Sequence, residues 1–231
     1  MGYIIRSNDI MIGIDLYLSN ACMSKDGSFK RLVPPPVDAA GLELDYLIAT
    51  HDHGDHLDTG SLETLVGKDS KTLMIGPASV VDYAVNAGID GKKLIQLDRG
   101  QEKKLKSVEL KAVLADHGEY APDCIGVIIS IAGKRIYFTS DTCYRTDLHE
   151  IIDTGGKIDL LIVPINGKYG NPDPKDAAYI ASWIKPEIVI PSHFWMFAEH
   201  GGDPGEFSKR CKEISPETRI VIPAIGERII L

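Results

Sequence analysis

Between residues 50 and 58 the chain reads Thr50-His51-Asp52-His53-Gly54-Asp55-His56-Leu57-Asp58. Its ligand-type residues fall as His-x-His-x-Asp-His. Imidazole with carboxylate suits borderline divalent ions such as Zn and Mn. In an extended or turning backbone, residues two apart point the same way, so His51 and His53 can reach one ion. Gly54 tolerates a sharp change of direction, after which Asp55 and His56 can face a second ion a few ångströms away. As ordinary surface side chains these groups would repel one another or sit idle. Two ions need more ligands than this loop holds, and the chain offers them in one recurring position, just past an apolar run. His117 follows Val108 to Ala115, Asp141 follows Arg135 to Ser140, and His193 follows Ile188 to Pro191. Five of the seven histidines are then in use. His149 and His200, each isolated, read as ordinary surface or core side chains.

The elements that would position these residues are short apolar runs separated by turn signals. Tyr3 to Arg6 and Ile10 to Leu16 read as a hairpin over Ser7-Asn8-Asp9. Ser19 to Glu43, with Pro34-Pro35-Pro36, reads as a long loop. Strands are expected over Leu44 to Thr50, Thr72 to Ile75, Leu94 to Leu97, Lys103 to Leu105, Val108 to Ala115 and Gly126 to Ile131. Further strands are expected over Arg135 to Ser140, Leu160 to Pro164, Ile188 to Pro191, Arg219 to Ile222 and Arg228 to Leu231. Helices are expected over Asp58 to Val66, with Asp58 as N-cap and Gly67 as stop, and over Pro77 to Ala87. Asp147 to Ile152, Pro174 to Ile184 and Pro204 to Glu213 complete the set. Sheets covered by helices in one α/β domain over residues 1–231 would place several strand ends, and their ligands, around one crevice.

The chain has 231 residues, with 25 Lys+Arg against 33 Asp+Glu, a net charge of −8. With 44% hydrophobic residues there is ample material for a core, which excludes disorder as the main theme. The acidic balance argues against a large nucleic acid as partner. It leaves a small anionic substrate open, because bound metal inverts the local charge. No apolar run could span a membrane, and Met1 to Arg6 has no leader pattern. The four cysteines form no CxxC pair and read as free thiols, so a cytoplasmic protein is expected.

The run His51-x-His53-x-Asp55-His56, followed in order by His117, Asp141 and His193, resembles the metallo-β-lactamase superfamily of binuclear metal hydrolases. The resemblance implies an αββα sandwich with two mixed sheets face to face and helices outside. It implies that His51, His53 and His117 hold one ion, that Asp55, His56 and His193 hold the other, and that Asp141 bridges them. Two divalent ions, Mn or Zn, are the implied cofactors. The segments Thr50 to Asp58, Ile188 to Phe194 and Ile165 to Asn171 are similar to the L-ascorbate-6-phosphate lactonase-like branch, which includes many uncharacterised metal-dependent hydrolases. Members of that branch usually carry a Trp-Leu-Gly-His-like stretch ahead of the equivalent of Gly2 to Ile5. This chain starts inside that strand, so its first strand reads as shortened. Relatives often self-associate, so a homo-oligomer is an expectation by resemblance.

Two ions sharing a water lower its pKa toward ~7, which makes a nucleophile without Ser or Cys. Asp55 and Asp141 could orient it and accept its proton. The expected reaction is hydrolysis of an ester-like bond in a small anionic substrate, a sugar-acid lactone first. A phosphodiester of a cyclic nucleotide or short nucleic acid is the alternative. A non-catalytic metal-binding or sensor protein is a second alternative, against which the complete ligand set speaks. Lys168, Tyr169 and Arg145 are the candidate substrate contacts, with Lys168 foremost. Trp195 and Phe197 are candidates to wall the pocket. Cys143 reads as a small packed thiol, and Asp15 as a partner orienting a ligand histidine.

Overall fold

Along most strands the apolar side chains alternate between two destinations, which requires sheets buried on both faces. A computed structural model describes residues 2–7 and 10–231. The first sheet contains β1 (Tyr3–Ser7), β2 (Ile10–Ile14), β3 (Tyr46–Ile48), β4 (Leu73–Gly76) and β5 (Leu94–Gln96), side by side in that order. The second contains β6 (Glu102–Leu105), β7 (Val108–Leu114), β8 (Ile125–Ile131), β9 (Lys134–Phe138), β10 (Leu160–Pro164), β11 (Ile188–Ser192) and β12 (Arg219–Ile220), also in chain order across the sheet. Strands β2 to β5 are parallel, as are β9 to β12, while β1–β2, β6–β7, β7–β8 and β8–β9 are antiparallel pairs.

Ile12, Ile14, Tyr46, Ile48 and Ile75 of the first sheet meet Val127, Ile129, Phe138, Ile162 and Ile190 of the second in the central core. The alternate residues face outward. Leu47 and Met74 pack under α1 (Leu62–Val66) and α2 (Ala78–Asn86). Tyr137, Leu161, Val163 and Val189 pack under α4 (Pro174–Ile184) and α5 (Pro204–Ile214), with the short α3 (Leu148–Ile151) beside α4. The fold is therefore an αββα sandwich. Asp173 and Asp203 cap α4 and α5 by accepting two backbone N–H bonds each, with Pro at the first helical position, an arrangement worth about 1 kcal/mol per cap.

Two expectations are corrected. Arg228 to Leu231 forms no strand, and Ile230 stands 84% exposed. The helix expected from Asp58 begins at Leu62, because the Asp58 carboxylate accepts instead from Leu18 N, Ser19 Oγ, Gly60 N and Ser61 Oγ, tying the long loop to the metal-type loop. At Gly54 the chain turns as expected, His56 N donating to His53 O at 2.9 Å across it. The Asn8-Asp9 part of the first turn lies outside the described residues. No helix among the described residues is long and apolar enough to cross a membrane.

Candidate metal centre

Because β7, β9, β10 and β11 run the same way, the chain leaves all of them at one end of the second sheet. His117 lies past β7, Asp141 past β9 and His193 past β11, while His51 lies past β3 of the facing sheet. Two bonds close the sheets on each other here: Ile125 N donates to Thr50 O at 3.1 Å, and Ser140 Oγ donates to Thr50 Oγ1 at 2.6 Å. Asp15, Ser140, Tyr169, His193 and Trp195 all have positive φ, between 46° and 62°. Such non-glycine backbone is strained and persists only where the surroundings fix it.

The seven ligand-type residues expected from sequence converge. His51, His53 and His117 bring ligand atoms within 4.8 Å of one another, as do His51, His56 and Asp141. Asp141 faces both ways. Its Oδ2 lies 3.6 Å from His117 Nε2, and its Oδ1 lies 3.4 Å from His56 Nε2 and 3.2 Å from His193 Nε2. Asp55 Oδ2 lies 3.6 Å from His193 Nε2 and 4.0 Å from His56 Nε2.

The hydrogen bonds behind the histidines select which nitrogen faces inward. His56 donates Nδ1–H to Asp15 Oδ2 at 2.7 Å, leaving Nε2 toward Asp141. Asp15 is fully buried and also accepts from Thr50 N and Thr50 Oγ1. A carboxylate behind a histidine in this way fixes its ring and raises its basicity as a ligand. His53 donates Nε2–H to Tyr120 O at 3.0 Å, so its Nδ1 lone pair faces His51.

The charge balance follows from burial and proximity. Burial and the neighbouring His56 hold His51 well below the ordinary histidine value, and burial also lowers His117. Against its burial, His56 is held well above that value by Asp141, Asp15 and Asp55. Asp141, also against its burial, is held well below the usual carboxylate range by His193 and His56. Yet these contacts are not aligned as hydrogen bonds. His56 Nε2, both nitrogens of His117, both of His193 and Asp141 Oδ1 are buried without a partner. An unsatisfied buried polar atom costs about 1–3 kcal/mol, and native proteins leave few of them. Nitrogen and carboxylate lone pairs converging in this way fit divalent cations.

The candidate substrate contacts part company. Arg145 is engaged by Asp147 through two bonds, at 3.0 and 2.7 Å, and by Asp116 at 2.7 Å. It braces the loop carrying His117 rather than opening to a ligand. Lys168 is exposed and donates Nζ–H to Glu199 O at 2.9 Å. Tyr169 is 42% exposed, 6.2 Å from the His200 ring. Trp195 is 56% exposed, whereas Phe197 is buried edge-on against Tyr17, its ring centroid 4.8 Å from that of His200. Cys143 is half-buried beside Asp116, and burial raises its thiol above the ordinary value. His149 lies on α3, where Nδ1–H donates to Thr146 O.

His200, read from sequence as an isolated surface or core side chain, is buried beside the centre. It is 7% exposed, its ring centroid lies 4.4 Å from that of His193, and its ligand atom lies within 4.8 Å of those of Asp55 and His193. No sequence spacing signals this, because residues 193 to 200 follow an irregular path that only the fold defines.

Residues 17–194 match the family model described as a β-lactamase superfamily domain. The chain belongs to the metallo-β-lactamase superfamily. It is similar to a UPF0173 protein of Pyrococcus furiosus, 31% identical over 204 residues, covering 86% of this chain and 90% of that protein. It is similar to a UPF0173 metal-dependent hydrolase of Symbiobacterium thermophilum, 30% identical over 212 residues, covering 85% and 90%. Among solved structures it resembles Igni18, a metallo hydrolase from Ignicoccus hospitalis, with a TM-score of 0.77 at 20% identity, covering 98% of this chain and 92% of that one. That likeness bears on the fold alone.

Proposed function

We propose that this metal-dependent hydrolase of the metallo-β-lactamase superfamily binds two divalent ions, Mn or Zn, and cleaves an ester-like bond in a small anionic substrate, foremost a sugar-acid lactone. The observation that carries the reading is the convergence of buried, unpartnered nitrogen and oxygen atoms on the two sides of Asp141. On this reading His51, His53 and His117 hold one ion, Asp55, His56 and His193 the other, and Asp141 lies between. Bound ions supply Lewis acidity and bring the pKa of water toward ~7.

The protein's own groups do the rest. Asp15 and Tyr120 O hold His56 and His53 in fixed tautomers. Asp141, held ionised by His193 and His56, orients. Asp55 makes its ion-pair contacts through Oδ2, which leaves Oδ1 available to a proton. Lys168, exposed and with protons to spare beyond the Glu199 bond, suits a substrate anion.

The test is a panel of lactones, cyclic nucleotides and bis(p-nitrophenyl) phosphate, offered to stripped protein with Mn or Zn restored. Metal-dependent lactone opening is the expected result. Turnover of phosphodiesters alone would transfer the reading to a phosphodiesterase. Silence across the panel with two ions bound would mark the site as a metal-binding scaffold.

A further inference from the structure

His200 is outside the ligand set read from sequence, yet the fold spends several constraints on aiming it inward. Its backbone N–H closes a turn onto Phe197 O at 3.2 Å, and Phe197 is itself fixed in the small core with Tyr17. Lys168 pins the preceding carbonyl of Glu199. The two following glycines press on the end of β10: a Cβ on Gly201 would lie 2.4 Å from Asn166 O, and Gly202, at φ +93°, lies against Ile165 O. The ring therefore has little freedom to leave. Its Nδ1 is buried without a hydrogen-bond partner. A buried imidazole held this way needs a ligand or a donor.

The geometry points to His200 as a further metal-ligating residue, binding on the Asp55–His193 side of the centre. This rests on the reading that the centre binds divalent metal. The His51–His53–His117 side already has three imidazoles. On the other side, His200 has its ligand atom within 4.8 Å of those of Asp55 and His193, beside His56. With Asp55, His56 and His193 already assigned to that side, His200 would be its fourth protein ligand besides Asp141. Metal uptake on the Asp55–His193 side would depend on the segment from Phe197 to Gly202 holding its turn.

The test uses the full chain, stripped with chelator and titrated with Co(II), following metal content and the visible spectrum. His200→Gln removes the proposed donor and keeps the size. It is expected to weaken uptake of one of the two ions by at least about tenfold. His200→Cys offers a thiolate at the same place. It is expected to give a thiolate-to-Co(II) charge-transfer band absent from the unaltered protein. Equal Co(II) affinity in His200→Gln, with no new band in His200→Cys, overturns the proposal while leaving the metal reading standing. An unaltered protein that takes up no Co(II) overturns both.

Discussion

At the end of the sandwich where β6 turns into β7 and β8 into β9, opposite charges meet directly. Lys104 pairs with Glu109 at 2.6 Å, Lys106 with Asp45 at 2.8 Å and Lys134 with Asp159 at 3.8 Å. Most of these groups are well exposed, and such pairs contribute little to stability. At the other end, past β3, β7, β9 and β11, histidines and carboxylates are buried and crowd together without completing hydrogen bonds. Both ends close the same strands, so strand geometry does not explain the difference. A fold can leave polar atoms buried and unpaired at one end if something else satisfies them, and that end is where function is to be sought.

The contrast can be broken in several ways. The largest effect is expected from Asp141→Ala, which removes the group lying between the two sides. Metal content should fall toward zero with turnover, and retention of full activity without metal would contradict the account. His53→Ala should empty the side it serves, leaving at most one ion by elemental analysis. Asp15→Asn keeps the shape but removes the charge behind His56; metal affinity should fall about 10- to 100-fold with the fold intact by circular dichroism.

A smaller effect concerns acid stability of the metal-free protein. Burial and the neighbouring His193 lower His200 to about 4. Its folded value is below its unfolded one of about 6.5, so its contribution is complete above pH ~6.5 and is lost as the pH falls toward 4. His200→Gln should therefore lose less stability than the unaltered protein across that window in urea titrations. Parallel slopes would exclude this contribution. The smallest effect is expected at the opposite end: Lys106→Ala should leave melting midpoint and metal content unchanged.

Much of this arrangement is legible in the sequence because it depends on local spacing. Leu160 to Pro164 and Pro174 to Ile184 are bounded by residues whose chemistry ends an element, and the observed limits coincide with them. The metal-type loop is legible because its ligands are nearly contiguous. What escapes is set by partners distant in sequence. Asp58 has the type of an N-cap, but four donors from residues 18 to 61 claim it before the helix begins. Arg145 has the type of an anion binder, but Asp116, 29 positions away, claims it. Arg228 to Leu231 has strand composition, while β12, alongside β11, extends only over Arg219–Ile220. His200 looks isolated because the glycines that turn it inward press on the end of β10, a contact the linear sequence does not display.

The most direct measurement is the number of ions per chain, by elemental analysis of protein stripped with chelator, reconstituted with Mn or Zn and freed of excess metal. The account predicts two per chain in the unaltered protein and loss of both in Asp141→Ala. One ion or none in the unaltered protein, or two retained without Asp141, would contradict it.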